Sequence, residues 1–128
     1  MLADGEAGVG ETVLMAEDEA VVRMVAADVL RDLGYRVLEA PDGLAALDVV
    51  RSDERVDLLL TDMGLPGMDG RRLAEAARRL RPNLRVLFVT GEAYDAVGHG
   101  PLPPGTEVVG KPVALDALAA KVRAMLAA

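Results

Sequence analysis

Short apolar runs alternate with segments of helical periodicity along most of the chain. Five runs have the composition of β-strands: Thr12–Ala16, Tyr35–Ala40, Val56–Thr61, Leu84–Thr90 and Thr106–Gly110. The middle runs are apolar at consecutive positions, which is typical of strands that are covered on both faces. A parallel sheet between two layers of helices meets that requirement. The pattern therefore predicts an α/β domain with a doubly wound, five-stranded parallel sheet.

Helices are predicted between these strands. Their approximate spans are 19–33, 43–52 and 69–81, followed by a C-terminal helix from about Leu115, and Gly34 and Asp42 supply a stop and a start signal. The apolar positions of the first helix are Val22, Val25, Ala26, Val29 and Leu33, and those of the last are Leu115, Leu118, Ala119, Val122 and Leu126.

One segment interrupts the alternation at the place of a fourth helix. Residues Gly91–Gly105 contain four glycines and three prolines, and both residue types disfavour a helix interior. At most a turn or two around Glu92–Val97 is expected. We therefore predict that the fourth helix is degenerate.

The 128 residues are sufficient for one domain with a substantial core. Residues 1–11 are rich in glycine and are expected to form a flexible lead-in, which leaves 12–128 as the folded domain. Aromatic residues make up only 2% of the chain, so the core must be aliphatic. The chain has no cysteine, which excludes disulfides and thiolate metal sites and is consistent with a reducing cytoplasm.

Charge and hydropathy exclude several classes of partner. The net charge of -7 argues against direct binding to nucleic acid. No segment approaches the roughly 18 apolar residues that a membrane-spanning helix needs, and the N-terminus lacks the basic and apolar regions of a signal peptide. We expect a cytoplasmic protein without membrane insertion, and the sequence leaves its oligomeric state open.

Polar residues follow four of the predicted strands at their carboxyl ends. In an open parallel sheet, ligands bind beyond these ends. If the first and third strands are neighbours, several carboxylates are crowded together there. The residues in question are Glu17, Asp18 and Glu19 after the first strand, Asp62 after the third, Thr90 on the fourth and Lys111-Pro112 after the fifth.

Crowded carboxylates require a compensating cation, because like charges at short range disfavour ionisation. Hard oxygen ligands at a hydrated site suit Mg²⁺, whereas Lys111 and the Thr90 hydroxyl suit a phosphoryl group. A single Asp after a strand is usually a turn residue, so the ordered combination of residues carries the specificity. This combination supports the formation of an aspartyl phosphate.

Four sequence segments resemble the receiver domains of two-component response regulators, which have the CheY-like (flavodoxin-like) fold. They are VLMAEDEAVVR, LLLTDMGLPGMDG, RVLFVTG and VVGKP, and the resemblance extends from Thr12 to about Leu126. The chain is most similar in type to receivers at the C-terminus of hybrid histidine kinases and to single-domain regulators. Such domains promote their own phosphorylation and dephosphorylation and are not classical enzymes.

The resemblance assigns a role to each residue around the phosphoryl group. Asp62 would be the phosphoacceptor, Thr90 would donate a hydrogen bond to the phosphoryl group, and Lys111 would form an ion pair with it. A cis peptide between Lys111 and Pro112 is also implied.

The resemblance also implies a Mg²⁺ site. Asp18 would bind the cation directly and Glu17 would act on it through water. Asp62 and the backbone carbonyl of Gly64 would complete the protein ligands.

The implied partner is a histidine kinase or a histidine phosphotransfer protein that donates a phosphoryl group. The first helix, with Val22, Met24 and Val25 beside Arg23, would form the docking face with the surrounding loops. Two alternatives are a metal-dependent phosphatase or hydrolase and a pseudo-receiver that acts by contacts alone. A hydrolase usually needs a second acid near the nucleophile, and TDMG provides none there. The intact set of acidic, Thr and Lys residues argues against a pseudo-receiver.

The chain departs from the family pattern on the fifth strand. Many receivers have an aromatic residue three positions before the Lys, and here that residue is Val108. We therefore predict that activation acts through Gly91–Gly105, where Tyr94 could replace the missing ring. Six arginines between 71 and 85 are expected mainly to form the solvated face of the third helix.

Overall fold

The computed structural model describes residues 10–91 and 102–127. Strands and helices alternate in the predicted order. The strands are β1 (Thr12–Ala16), β2 (Arg36–Ala40), β3 (Leu58–Asp62), β4 (Arg85–Thr90) and β5 (Thr106–Gly110), and the helices described are α1 (Ala20–Asp32), α2 (Gly43–Arg51), α3 (Gly70–Leu80) and α4 (Leu115–Ala127).

All five strands are parallel, and their order in the sheet is β2-β1-β3-β4-β5. The prediction of a five-stranded parallel sheet is confirmed. The order changes direction at β1, which lies between β2 and β3. A crevice forms at such a point because the connections leave towards opposite faces.

Helices cover both faces of the sheet, as the apolar strands require. On one face, α1 and α4 pack against Val13, Met15, Leu58 and Leu60 through buried residues such as Ala27, Leu30 and Val122. On the other face, α2 and α3 pack against Leu14, Leu59 and Val86 through Leu47, Leu73 and Ala77. Both helix layers are thus fixed to the strands whose ends carry the polar residues.

The predicted helix boundaries follow from local signals. The Asp42 side chain accepts a hydrogen bond of 2.8 Å from the Ala45 amide at the start of α2. Asp69 does the same for the Arg72 amide at 2.9 Å at the start of α3. Gly34 has a φ of 97°, the left-handed conformation that ends a helix.

The apolar stripe predicted for α1 is partly wrong. Val22 and Val25 are 47% and 42% exposed, and the buried residues of the helix are Ala26, Ala27 and Leu30. The first turns of α1 border the crevice at the carboxyl ends of the strands, so the sheet does not cover them. Leu115 at the start of α4 is also 38% exposed, for the same reason.

The arginines of α3 are not all solvated. Arg78 and Arg81 turn back from the end of the helix and donate to backbone carbonyl groups just before β4 and β5 and at the end of α2. The acceptors are Leu84 and Gly105 at 3.0 and 3.1 Å for Arg78, and Val50 and Ser52 at 3.1 and 2.9 Å for Arg81. Both residues hold the amino-terminal edge of the domain, away from the acidic residues.

Several predictions fall outside the described residues. These are the degenerate fourth helix at Glu92–Val97, the role of Tyr94, and all but the end of the lead-in. Within the described part of the chain, no helix combines the length and the hydropathy that crossing a bilayer demands.

Candidate functional site

The register of the sheet brings the predicted acids together. Ala16 of β1 lies opposite Thr61 of β3, so Glu17 and Asp62 are the next residues along each strand. Both are almost fully buried, at 7% and 9% exposure, whereas Asp18 is exposed. Carboxylate oxygens from the three residues lie within 4.8 Å of one another. We call this cluster of Glu17, Asp18 and Asp62 the acidic pocket.

Asp62 has a partner at each carboxylate oxygen. Its Oδ2 lies 2.5 Å from the Nζ of Lys111, and its Oδ1 accepts a hydrogen bond of 2.9 Å from the Gly64 amide. A buried carboxylate without such partners would be strongly disfavoured. The ion pair therefore compensates for burial and holds the carboxylate in one orientation.

Lys111 reaches Asp62 from the end of β5, across the intervening strand β4. Its backbone amide donates to the Thr90 carbonyl at 2.7 Å, which continues the β4–β5 ladder beyond the strands. Thr90 itself is 6% exposed. The peptide between Lys111 and Pro112 is cis, as predicted.

The electrostatics of the pocket are dominated by its carboxylates. The hydrogen bond to Asp62, together with the charges of Asp62, Glu17 and Glu19, raises the pKa of Lys111 despite partial burial. Burial raises the pKa of Glu17, and the negative charge of Asp62 adds to the effect. Glu17 is thus a carboxylate whose charged form is disfavoured in the absence of a cation.

The donor set fits a hard divalent cation. Three carboxylates from two adjacent strand ends converge, and one of them is open to solvent. Mg²⁺ characteristically combines one or two carboxylates with water and phosphate oxygens. The residues present therefore suit Mg²⁺ that keeps some of its water ligands, rather than a cation enclosed entirely by protein ligands.

Gly70 is a part of the site that sequence reasoning missed. It is the first residue of α3, directly behind Asp62, and its amide donates to the Met63 carbonyl at 3.0 Å. A Cβ at this position would lie 2.5 Å from the carbonyl oxygen of Asp62 and 3.0 Å from the Cα of Met63. The available signal was the glycine at a helix start, where it is far less enriched than after a helix end.

We expect Gly70→Ala to destabilise the domain by about 1–3 kcal/mol, the usual cost of overpacking a tight contact. The atoms met by the new Cβ belong to the backbone, so no side-chain rotation relieves the contact. Urea denaturation of the two proteins measures the difference. Gly91→Ala is the control, because among the described residues no atom outside its chain neighbours lies within 4 Å of a Cβ there. Equal stability of the Gly70 variant and the wild type would contradict the close approach.

An apolar cavity of about 610 Å³ adjoins the acidic pocket. Its walls come from the first turns of α1, the strand ends and the start of α4. The residues involved include Val21, Val22, Val25, Asp62, Pro112 and Leu115. The charged site is therefore next to an exposed apolar surface on the same edge of the domain.

Comparisons with known proteins agree with this geometry. Residues 13–123 match the response regulator receiver domain family. The chain is 37% identical over 118 residues to the sensor kinase CckA of Brucella abortus, covering 90% of this chain but only 12% of that protein. It is 34% identical over 117 residues to the response regulator receiver protein CpdR of the same organism, covering 91% of this chain and 97% of CpdR.

A solved structure has the same architecture. The response regulator receiver protein from Sinorhizobium medicae superposes with a TM-score of 0.83 at 27% identity, covering 93% of this chain and 96% of that one. The fold is therefore the CheY-like α/β fold. Together with the family match over most of its length, this shows that the chain belongs to the response regulator receiver domains of two-component signalling and is not a classical enzyme.

Proposed function

We propose that Asp62 accepts a phosphoryl group from a phosphohistidine in a Mg²⁺-dependent reaction. The observation that carries this proposal is the ion pair of 2.5 Å between Lys111 and Asp62 inside the acidic pocket. The pair holds the Asp62 carboxylate in one orientation, and a carboxylate oxygen is the nucleophile that the transfer requires. We place the reaction in the cytoplasm, where the ATP that phosphorylates histidine kinases is found.

The transfer is a displacement at phosphorus. A carboxylate oxygen of Asp62 forms the new P–O bond while the P–N bond to the donor imidazole breaks. The electron pair of that bond stays on the imidazole nitrogen. The imidazole leaves as the neutral base when its other nitrogen carries a proton, and otherwise takes a proton from solvent as it leaves. Because one oxygen of Asp62 is held by Lys111 and the other by the Gly64 amide, the oxygen that attacks does so through its second lone pair.

The proposed Mg²⁺ ligands are Asp18, Asp62 and the backbone carbonyl of Gly64, with Glu17 acting through water. When bound, Mg²⁺ neutralises charge that develops on the phosphoryl oxygens. Glu17 is positioned by its contact with the Glu19 amide, at 2.9 Å from its Oε2. The raised pKa of Glu17 supports the proposal, since a cation would relieve the repulsion that causes part of it.

Thr90 and Lys111 are the proposed anchors of the product. The Thr90 hydroxyl would donate a hydrogen bond to a phosphoryl oxygen, and the Lys111 ammonium would pair with another. Their backbones are joined by the hydrogen bond of 2.7 Å between the Lys111 amide and the Thr90 carbonyl. This link supports a common response of the two residues when the phosphoryl group arrives.

Beryllofluoride, a non-covalent mimic of a phosphoryl group, tests the proposal in an NMR titration. We expect saturable chemical-shift changes around Asp62 that require Mg²⁺. No response to beryllofluoride with Mg²⁺ would favour a pseudo-receiver and contradict the proposal. Repeated turnover of a phosphate ester without a lasting phosphoprotein would instead favour a hydrolase.

The proposed partner is the phosphohistidine domain of a histidine kinase or a phosphotransfer protein. On the receiver domain, the proposed docking face for this partner is the exposed part of α1 beside the acidic pocket. Val21, Val22 and Met24 are 68%, 47% and 52% exposed there, and two of them line the apolar cavity. Large apolar side chains on a helix next to a reaction site are typical of a contact surface.

We expect the double variant Val22→Ala with Met24→Ala to lower phosphotransfer from a phosphohistidine protein about tenfold, a hot-spot effect of roughly 1.4 kcal/mol. Phosphorylation by acetyl phosphate should be unchanged, because this small donor makes no contact with a docking face. Leu80→Ala is the control. Leu80 is also 50% exposed, but it is the last residue of α3, at the end of that helix away from the acidic pocket. Loss of both reactions, or of neither, would contradict the assigned surface.

A further inference from the structure

Arg23 connects α1 to the backbone of the acidic pocket. Its side chain is only 18% exposed and turns back along the helix towards the pocket. The NH1 group donates to the backbone carbonyl of Glu17 at 2.7 Å. This contact goes to the backbone between Glu17 and Asp18, and the carboxylates themselves remain available for other ligands.

A second residue fixes the direction of the Arg23 guanidinium. The Nε of Arg23 lies 3.3 Å from one carboxylate oxygen of Glu39, near the end of β2. The other oxygen of Glu39 lies 3.0 Å from Arg31, which also donates to the Val37 carbonyl at 2.9 Å. Glu39 is thereby held by Arg31, and it holds Arg23 in turn.

The Glu17 carbonyl belongs to the peptide unit that also contains the Asp18 amide. A peptide unit is planar, so a hydrogen bond to its oxygen restricts the direction in which the Cα of Asp18 lies. The Glu17 amide, in the preceding unit, is fixed separately by its bond of 3.0 Å to the Ala40 carbonyl. The two contacts restrict the backbone on both sides of Glu17.

Mg²⁺ demands near-ideal octahedral geometry at about 2.0–2.1 Å, so a small rotation of this peptide would misplace a ligand. We propose that Arg23 is a positioning residue for the divalent cation and that Glu39 orients Arg23 for this role. The inference rests on the proposed function, since it assumes that the acidic pocket binds Mg²⁺. Groups that orient metal ligands without touching the metal typically change affinity by about 10–100-fold when they are removed.

The test measures Mg²⁺ affinity of the 128-residue chain by isothermal titration calorimetry, without any phosphoryl donor. We expect Arg23→Met to raise the dissociation constant about tenfold. Arg36→Met is the control. It removes an arginine at the start of β2 whose ion pair, at 2.8 Å, is with Glu54 and not with Glu39 or the acidic pocket. Its dissociation constant should stay within about twofold of the wild type, a margin small against the effect of a lost orienting group.

An NMR spectrum supplies a readout that a loss of stability alone would not change. The Asp18 amide should shift in folded Arg23→Met and not in Arg36→Met, because it shares a peptide unit with the Glu17 carbonyl. Arg23→Lys keeps a donor of the same charge and should restore part of the affinity. Glu39→Gln provides a second test if Arg23→Met does not fold, with an expected smaller increase in the dissociation constant.

Three results would overturn the inference: unchanged affinity in Arg23→Met, unchanged affinity in Glu39→Gln where Arg23→Met is unfolded, or an equal loss in Arg36→Met. Failure of the proposed function would look different. In that case the wild-type chain itself would not bind Mg²⁺ at millimolar concentration.

Discussion

Asp62→Asn is expected to abolish phosphorylation of the chain. An amide oxygen carries no formal charge and is a far weaker nucleophile than a carboxylate oxygen. The substitution also removes the ion pair between Asp62 and Lys111, whose atoms are 2.5 Å apart, and leaves a contact between the ammonium and a neutral amide. Incubation with acetyl phosphate and Mg²⁺ should add the mass of one phosphoryl group to the wild-type chain and none to the variant. Intact-protein mass spectrometry measures both.

Asp69→Asn is the matched control for this experiment. Asp69 lies at the start of α3, close to the site in sequence, and its side chain accepts a hydrogen bond from the Arg72 amide. Asn caps a helix about as well as Asp does, so the fold should be preserved. The control should be phosphorylated like the wild type. Labelling of Asp62→Asn at a near-normal rate would refute the assignment of the phosphoacceptor.

The fold could be predicted from the sequence because each strand and helix carried an independent local signal. Consecutive apolar residues in β3 required cover on both faces, and Asp42 and Gly34 marked helix ends. The prediction began β3 two residues too early and ended it one residue too early. The structure shows why: at Asp57, before the strand begins, the side chain accepts a hydrogen bond from the Thr12 amide at 2.8 Å. Side-chain pairing of this kind is not encoded in a hydropathy pattern.

The acidic pocket could be predicted because parallel strands end at the same edge of the sheet. Adjacency of β1 and β3 was sufficient to bring Glu17 and Asp62 together. Helical spacing could not predict the exposure at the first turns of α1, because it identifies an apolar stripe but not what covers it, and only the family resemblance placed these residues on a docking face. Val22 and Val25 fit the stripe, yet they face a cavity.

Contacts that depend on three-dimensional proximity were also beyond prediction. Arg78 was assigned to a solvated face, but it donates to the Leu84 and Gly105 carbonyls. A glycine at a helix start was the only signal at Gly70, and it did not reveal that the Cα lies against the backbone of Asp62. Both depend on how α3 packs against the sheet, which is determined by the whole domain rather than by neighbours in sequence.

Mg²⁺ is expected to stabilise the domain without any phosphoryl group. A ligand that binds only the folded state stabilises it by about 2.7 kcal/mol at 100 times its dissociation constant. The acidic pocket exists only when β1 and β3 are paired, so the unfolded chain has no comparable site. Urea denaturation with and without Mg²⁺ measures the gain, which should appear as a higher midpoint with an unchanged slope.

Asp18→Ala should remove most of this gain and should have the opposite effect when Mg²⁺ is absent. Without the cation, the substitution deletes one of three mutually repelling carboxylates, so the apo variant should be at least as stable as the apo wild type. The two stability curves are therefore expected to cross as Mg²⁺ is added. Asp28→Ala, at an exposed acid of α1 away from the acidic pocket, should keep the full response. A wild-type midpoint that does not move across a millimolar Mg²⁺ titration would contradict the cation site, and parallel curves would remove Asp18 from it.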